Sequence, residues 1–110
     1  MKNVIVIFAS KKLESEFESL ENSKYPNNQL YKHIERAITD LKNNPKTGVK
    51  IPKKLWPKIH IQEYSITNLW KYNLPDAWRL IYTIKTDEVK IFNIILEWLP
   101  HKKYEKRFKY

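Results

Sequence analysis

The sequence predicts an α+β domain in which an N-terminal strand and a helical hairpin precede an antiparallel meander. Three observations carry that expectation. A β-branched run opens the chain at Val4-Ile-Val-Ile-Phe8, two apolar stripes at helical spacing follow, and extended apolar segments separated by short polar turns come last. With 110 residues, 42% of them hydrophobic, the chain has the length of one domain spanning 1–110. At that size roughly two-thirds of the unfolded surface is buried on folding.

The continuous run Val4–Phe8 reads as a strand buried on both faces. Ser10 is placed to cap the helix after it, where Leu13, Phe17 and Leu20 fall at i, i+4 and i+7. Tyr25-Pro26-Asn27-Asn28 breaks that helix. A second stripe at Leu30, Ile34, Ile38 and Leu41, with Ala37 beside it, ends at Asn43-Asn44-Pro45. Residues 44–58 hold the single glycine, Gly48, and many lysines, and read as an exposed, positively charged loop. Ile59–Tyr64 alternates weakly, as an edge strand would. Leu69–Leu74, Trp78–Ile84 and Glu88–Leu99 read as three consecutive antiparallel strands, the last at or near the centre of the sheet. The residues from Pro100 onward form a basic tail or short helix.

Charge narrows the partner. The chain carries 21 Lys and Arg against 12 Asp and Glu, a net charge of +9. Residues 1–40 are balanced, six against six, so the whole excess lies in the C-terminal two-thirds. It concentrates at Lys42, Lys46, Lys50, Lys53, Lys54 and Lys58, and again at Lys102, Lys103, Lys106, Arg107 and Lys109. An asymmetry of this kind steers a polyanion, here RNA, to one side of a domain. Without cysteine there is neither a disulfide framework nor a cysteine–zinc site. No apolar run has the length of a membrane span or of an export signal, so a cytoplasmic protein with no membrane partner is expected.

Strand alternation places Lys71 and Arg79 on one open face of the second and third extended segments, while Trp70, Tyr72, Trp78, Leu80 and Tyr82 point to the other. His101, Lys103 and Tyr104 leave the end of the long strand and reach the rim of that face. Such a set suits phosphoryl chemistry on RNA without a metal or other cofactor. Arginine clamps a phosphate, histidine moves a proton near neutral pH, and lysine supplies charge or serves as a base when neighbouring cations lower its pKa. Tyrosine can stack on or orient a base. The residues by themselves leave the general base open. His33 and His60 read as structural or exposed, the tryptophans Trp70, Trp78 and Trp98 as core packing, and Trp56, next to Pro57 in the basic loop, as either packing or a stacking platform.

The order of elements, together with Leu69-Trp-Lys-Tyr-Asn-Leu-Pro-Asp-Ala-Trp-Arg-Leu-Ile-Tyr82 and the tail Glu97-Trp-Leu-Pro-His101-Lys-Lys-Tyr104-Glu-Lys-Arg-Phe108, resembles the RelE/ParE superfamily of toxins from type II toxin–antitoxin systems. The likeness is specific over 69–84 and 97–108. It implies a ribosome-dependent, metal-independent mRNA endonuclease that works by 2′-hydroxyl attack and is silenced by a cognate antitoxin protein. It also implies roles. Lys71 corresponds to a strand lysine of the family, Arg79 to the arginine that grips the scissile phosphate, and Tyr104 to the tail tyrosine that stacks on the substrate base. His101 or Lys103 stands where the family has a tail Arg or His, and Lys50, Lys53, Lys54, Lys58, Lys102, Lys103, Lys106 and Arg107 would hold RNA. Asn73 replaces a second lysine, and Ala77 replaces a glycine that commonly precedes the aromatic–Arg pair. Two other readings share the fold: a ParE-like gyrase poison, and a non-catalytic RNA- or DNA-binding module.

Overall fold

The computed structural model describes residues 2–108, so Met1 and the tail residues Lys109 and Tyr110 lie outside the described residues. The elements are β1 (Asn3–Phe8), α1 (Lys11–Glu21), α2 (Asn27–Asn43), β2 (Val49–Lys50), α3 (Lys58–Tyr64), β3 (Trp70–Leu74), β4 (Trp78–Thr86), β5 (Lys90–Pro100) and α4 (His101–Phe108). One 3-10 turn, Lys53–Leu55, lies between β2 and α3. The sheet order is β1-β5-β4-β3-β2. The α+β class and the β3-β4-β5 meander are as expected, but the sheet is mixed, because β1 runs parallel to β5. Among the described residues no helix is long and apolar enough to cross a membrane.

The helical hairpin forms where the apolar spacing put it. Ser10 caps α1 by accepting a hydrogen bond from the Leu13 amide at 3.1 Å. Phe17 of α1 and Leu30, Ile34, Ala37 and Leu41 of α2 are buried against Leu74, Leu80, Tyr82 and Ile95 of the sheet. Trp70, Trp78 and Trp98 pack around this core, as structural side chains.

A second core covers the opposite face. Ile81, Leu96 and Leu99 of the sheet meet Ile51, Ile66, Leu69, Tyr104 and Phe108 there. Two layers of helix and loop thus enclose one sheet, and α3, α4 and the segment between β2 and α3 supply the second layer.

Three expectations change. Residues 59–64 are a helix, not an edge strand: His60 and Tyr64, one turn apart, face inward while Ile59 and Ile61 stay exposed. The apparent alternation came from two solvent-facing isoleucines. β1 is an edge strand rather than one buried on both faces, and Ile7 is exposed because no helix covers that side. The basic loop is ordered and partly internal: Ile51 and Pro57 are buried, and the Trp56 indole donates to the Ile51 carbonyl at 2.8 Å. Trp56 is therefore a packing residue.

Candidate nucleic-acid interface

The β3–β4 register sets the site. Asn73 faces Arg79, and Lys71 faces Ile81, so Lys71 and Arg79 share the face expected of them. At the other border of β4, Trp78 pairs with Pro100 and Arg79 with Leu99. Because α4 starts directly after Pro100, its first residue lands beside the β3–β4 turn, and the His101 amide donates to the Ala77 carbonyl at 2.8 Å. Asp76 and Ala77 hold that turn in left-handed backbone, at φ 61° and 62°. Chain connectivity thereby delivers a histidine to an arginine 22 positions away in sequence.

The resulting geometry is specific. An Arg79 guanidinium nitrogen lies 3.4 Å from His101 Nδ1, and another donates to the Trp78 carbonyl at 3.1 Å. Glu105, one helical turn on, sits 2.6 Å from His101 Nε2. Arginine only donates hydrogen bonds, so the contact is made with the imidazole tautomer whose proton is on Nε2, toward Glu105. In that tautomer Nδ1 presents a lone pair toward the guanidinium, across a contact long enough to yield to a better acceptor. Among the described residues no carboxylate pairs with Arg79. The N-terminal end of α4 adds the positive pole of its dipole to the same corner.

Lys71 holds its ammonium 5.1 Å from the centre of the Tyr104 ring. Tyr104 corrects an expectation. Its side chain is only 2% exposed and stacks on Phe108 with ring centroids 4.6 Å apart, so it is part of the site's floor and not a platform for a base. Helical spacing explains this: Tyr104 and Phe108, four apart, are the apolar edge of α4. His101, Lys102, Lys103 and Lys106 remain on its exposed side.

The other basic residues divide into separate places. Lys54, Lys58 and Arg107 border a groove of about 460 Å³ between α3 and α4. Arg107 also reaches Glu97 at 3.3 Å, which makes it a partner in an internal pair before it is a phosphate contact. Lys50 and Lys53 border a shallower recess beside Ile51 and Trp56. Arg79 and His101 thus come together at the rim, and Lys71 shares the face of Arg79 while lying against Tyr104.

Sequence reasoning missed two acidic residues. Glu105 was legible once the tail was taken as a helix, because His101 and Glu105 are four apart. Glu97 was not. A bulge in β5 opposite Ile81 and Tyr82 leaves Leu96 without a counterpart and turns Glu97 toward α3 and α4. There Glu97 meets buried His60 at 2.5 Å, so of the two readings left open His60 is structural, not exposed. This His60–Glu97–Arg107 cluster fastens α4 and α3 to the sheet. Comparison of the chain with protein-family models, with curated proteins and with solved structures finds no match.

Proposed function

We propose that this protein is a ribosome-dependent, metal-independent mRNA endonuclease toxin of the RelE/ParE kind, acting in the cytoplasm and silenced by a cognate antitoxin protein. One observation carries the reading: Arg79 meets a carboxylate-oriented His101 on the face of the sheet that also carries Lys71, over Tyr104 and Leu99. The residue-pattern resemblance over 69–84 and 97–108 supplies the reaction class, and the excess of basic charge supports a polyanionic substrate.

In this reading a non-bridging oxygen of the scissile phosphate takes the guanidinium of Arg79 away from His101 Nδ1. The freed nitrogen accepts the proton of the adjacent 2′-hydroxyl. The 2′-oxygen then bonds to phosphorus as the bond to the 5′-oxygen breaks. Lys71 and Arg79 stabilise the charge gathering on the phosphate oxygens. A proton returns to the leaving 5′-oxygen, giving a 2′,3′-cyclic phosphate and a 5′-hydroxyl. Glu105 keeps the imidazole in the tautomer this sequence needs and steadies its protonated form.

The test is a translating extract with mapped mRNA 5′ ends. Wild-type protein cuts at codon positions only when ribosomes are present, and Arg79→Ala lowers cutting by about 100-fold or more. Equal cutting by Arg79→Ala would place the chemistry elsewhere. No cutting by wild type would leave a binding protein or a gyrase poison.

A further inference from the structure

A second cationic groove lies at the far end of β4 from Arg79. It has a volume of about 620 Å³ and is lined by Lys46, Lys50 and Lys85, by the hydroxyl residues Ser65, Thr67 and Thr86, and by Trp70. Among the described residues no carboxylate lines it. We propose that this groove binds the phosphodiester backbone of single-stranded RNA, as a separate subsite for the strand whose scissile phosphate sits at Arg79. The inference rests on the RNA reading above.

The groove is built on a fixed frame. Asn68 acts as a backbone substitute where β3 has not yet begun. Its side-chain amide donates to the Ile84 carbonyl at 2.8 Å, and its oxygen accepts from the Ile84 amide at 2.8 Å and from the Trp70 indole at 3.1 Å. The opposite wall is equally tied. Tyr82 donates to the Pro45 carbonyl at 3.2 Å and accepts from the Gly48 amide at 3.1 Å, which fixes the loop bearing Lys46 and Lys50. Lys85 donates to the Tyr64 carbonyl at 3.2 Å, a neutral partner, and among the described residues no carboxylate pairs with it. The backbone that carries the three lysines is therefore tied around one concavity before anything binds.

The chemistry favours a nucleic-acid strand. Lysines neutralise phosphates, hydroxyl side chains donate to phosphate oxygens and the 2′-hydroxyl, and a half-buried indole offers an edge for base contact. Arg79 and Lys85 lie six residues and about 20 Å apart along β4, with Ile81 and Thr83 buried under the second layer between them, so a strand joining the two sites passes over that layer. That span takes at least about six nucleotides at roughly 3.4 Å each. A short oligonucleotide fills one site, and a longer one fills both.

The experiment measures fluorescence polarisation of labelled RNA 3-mers and 12-mers across a salt series. The proteins are wild type, the triple variant Lys46→Ala/Lys50→Ala/Lys85→Ala, and the charge-matched control Lys12→Ala/Lys32→Ala/Lys42→Ala. The groove variant should lose about tenfold or more in affinity for the 12-mer, and its salt slope should fall by about 2, at roughly 0.7 per single-strand phosphate contact. The control should keep the wild-type slope. Equal losses in both triple variants, or none in the groove variant, would overturn the inference. So would stronger competition by polyglutamate or by DNA of the same sequence than by unlabelled RNA. If wild type cuts mRNA while the groove variant binds normally, the groove fails alone. If the groove variant loses binding while wild type cuts nothing, the groove stands and the nuclease reading fails.

Discussion

Replacing Gly48 with alanine tests how the basic segment is held to the sheet. The need here is space, not backbone freedom. A Cβ at position 48 would sit 2.5 Å from the Lys71 carbonyl oxygen and 2.6 Å from the Tyr82 hydroxyl. The first neighbour is backbone and cannot swing aside, so β2 has to move off β3. That movement disrupts the pairing of Val49 with Lys71 and the Gly48–Tyr82 hydrogen bond. Two or three hydrogen bonds at about 1 kcal/mol net each are lost. The unfolded chain, being stiffer with alanine, returns about 0.4–1 kcal/mol. The expected loss is about 2 kcal/mol, or roughly 8–12 °C in Tm for a domain near this size. Urea unfolding with an unchanged m-value and a lowered midpoint would match, because the native surface is little altered. A Gly48→Ala protein that melts with wild type would refute the wedge, and with it the reason for placing Lys46 and Lys50 so firmly.

Three other outcomes are expected. Leu80 is fully buried between the sheet and the helical hairpin, so Leu80→Ala should cost about 2–5 kcal/mol in urea unfolding, and an unchanged midpoint would contradict the facing of β4. Ala77 is held at φ 62°, where a residue with a Cβ is strained, so Ala77→Gly should raise stability by up to about 1 kcal/mol, whereas a loss would show the turn is unstrained. Burial pushes the Tyr82 hydroxyl up to about 12, against the ordinary value of 10 that it regains on unfolding. A group raised in this way gives its full stability below pH 10 and loses it as pH climbs toward 12, by about 1.4 kcal/mol per pH unit. Chemical denaturation at pH 8 and pH 11 should show that fall in wild type and a smaller one in Tyr82→Phe; equal falls would refute the assignment.

Much of this molecule was legible where apolar spacing is regular. The stripes of α1 and α2, the Ser10 cap, the breaks at Pro26 and Pro45 and the three-strand meander follow from local rules. Alternation along β3 and β4 was enough to bring Lys71 and Arg79 to one face, because neither strand contains a bulge. Where reading failed, the deciding contact was distant. α3 turns inward through His60 and Tyr64, which carry no apolar stripe, and His60 goes inside only because Glu97 meets it there. Glu97 in turn depends on a bulge with no local signature. β2 is two residues long and exists because Gly48 lets the loop approach Lys71. The five-residue run in β1 resembled an interior strand, yet five apolar residues do not say whether both faces are covered.

The helix α4 links the second core to the Arg79 corner. Its inner edge, Tyr104 and Phe108, belongs to the second core, while its first residue completes the pair with Arg79. Arg107 near its other end is tied to Glu97, which also holds α3. The position of His101 is therefore set by packing along the whole helix.

The central claim, cleavage by 2′-hydroxyl attack at the Arg79–His101 corner, is tested most directly by the chemistry of the cut ends. RNA fragments from a ribosome-containing reaction would be examined for their termini, with wild type and Arg79→Ala run side by side. The account predicts 5′-hydroxyl and 2′,3′-cyclic phosphate ends from wild type, and loss of both with Arg79→Ala. Fragments bearing 5′-phosphates, or the same ends in equal yield from Arg79→Ala, would contradict it.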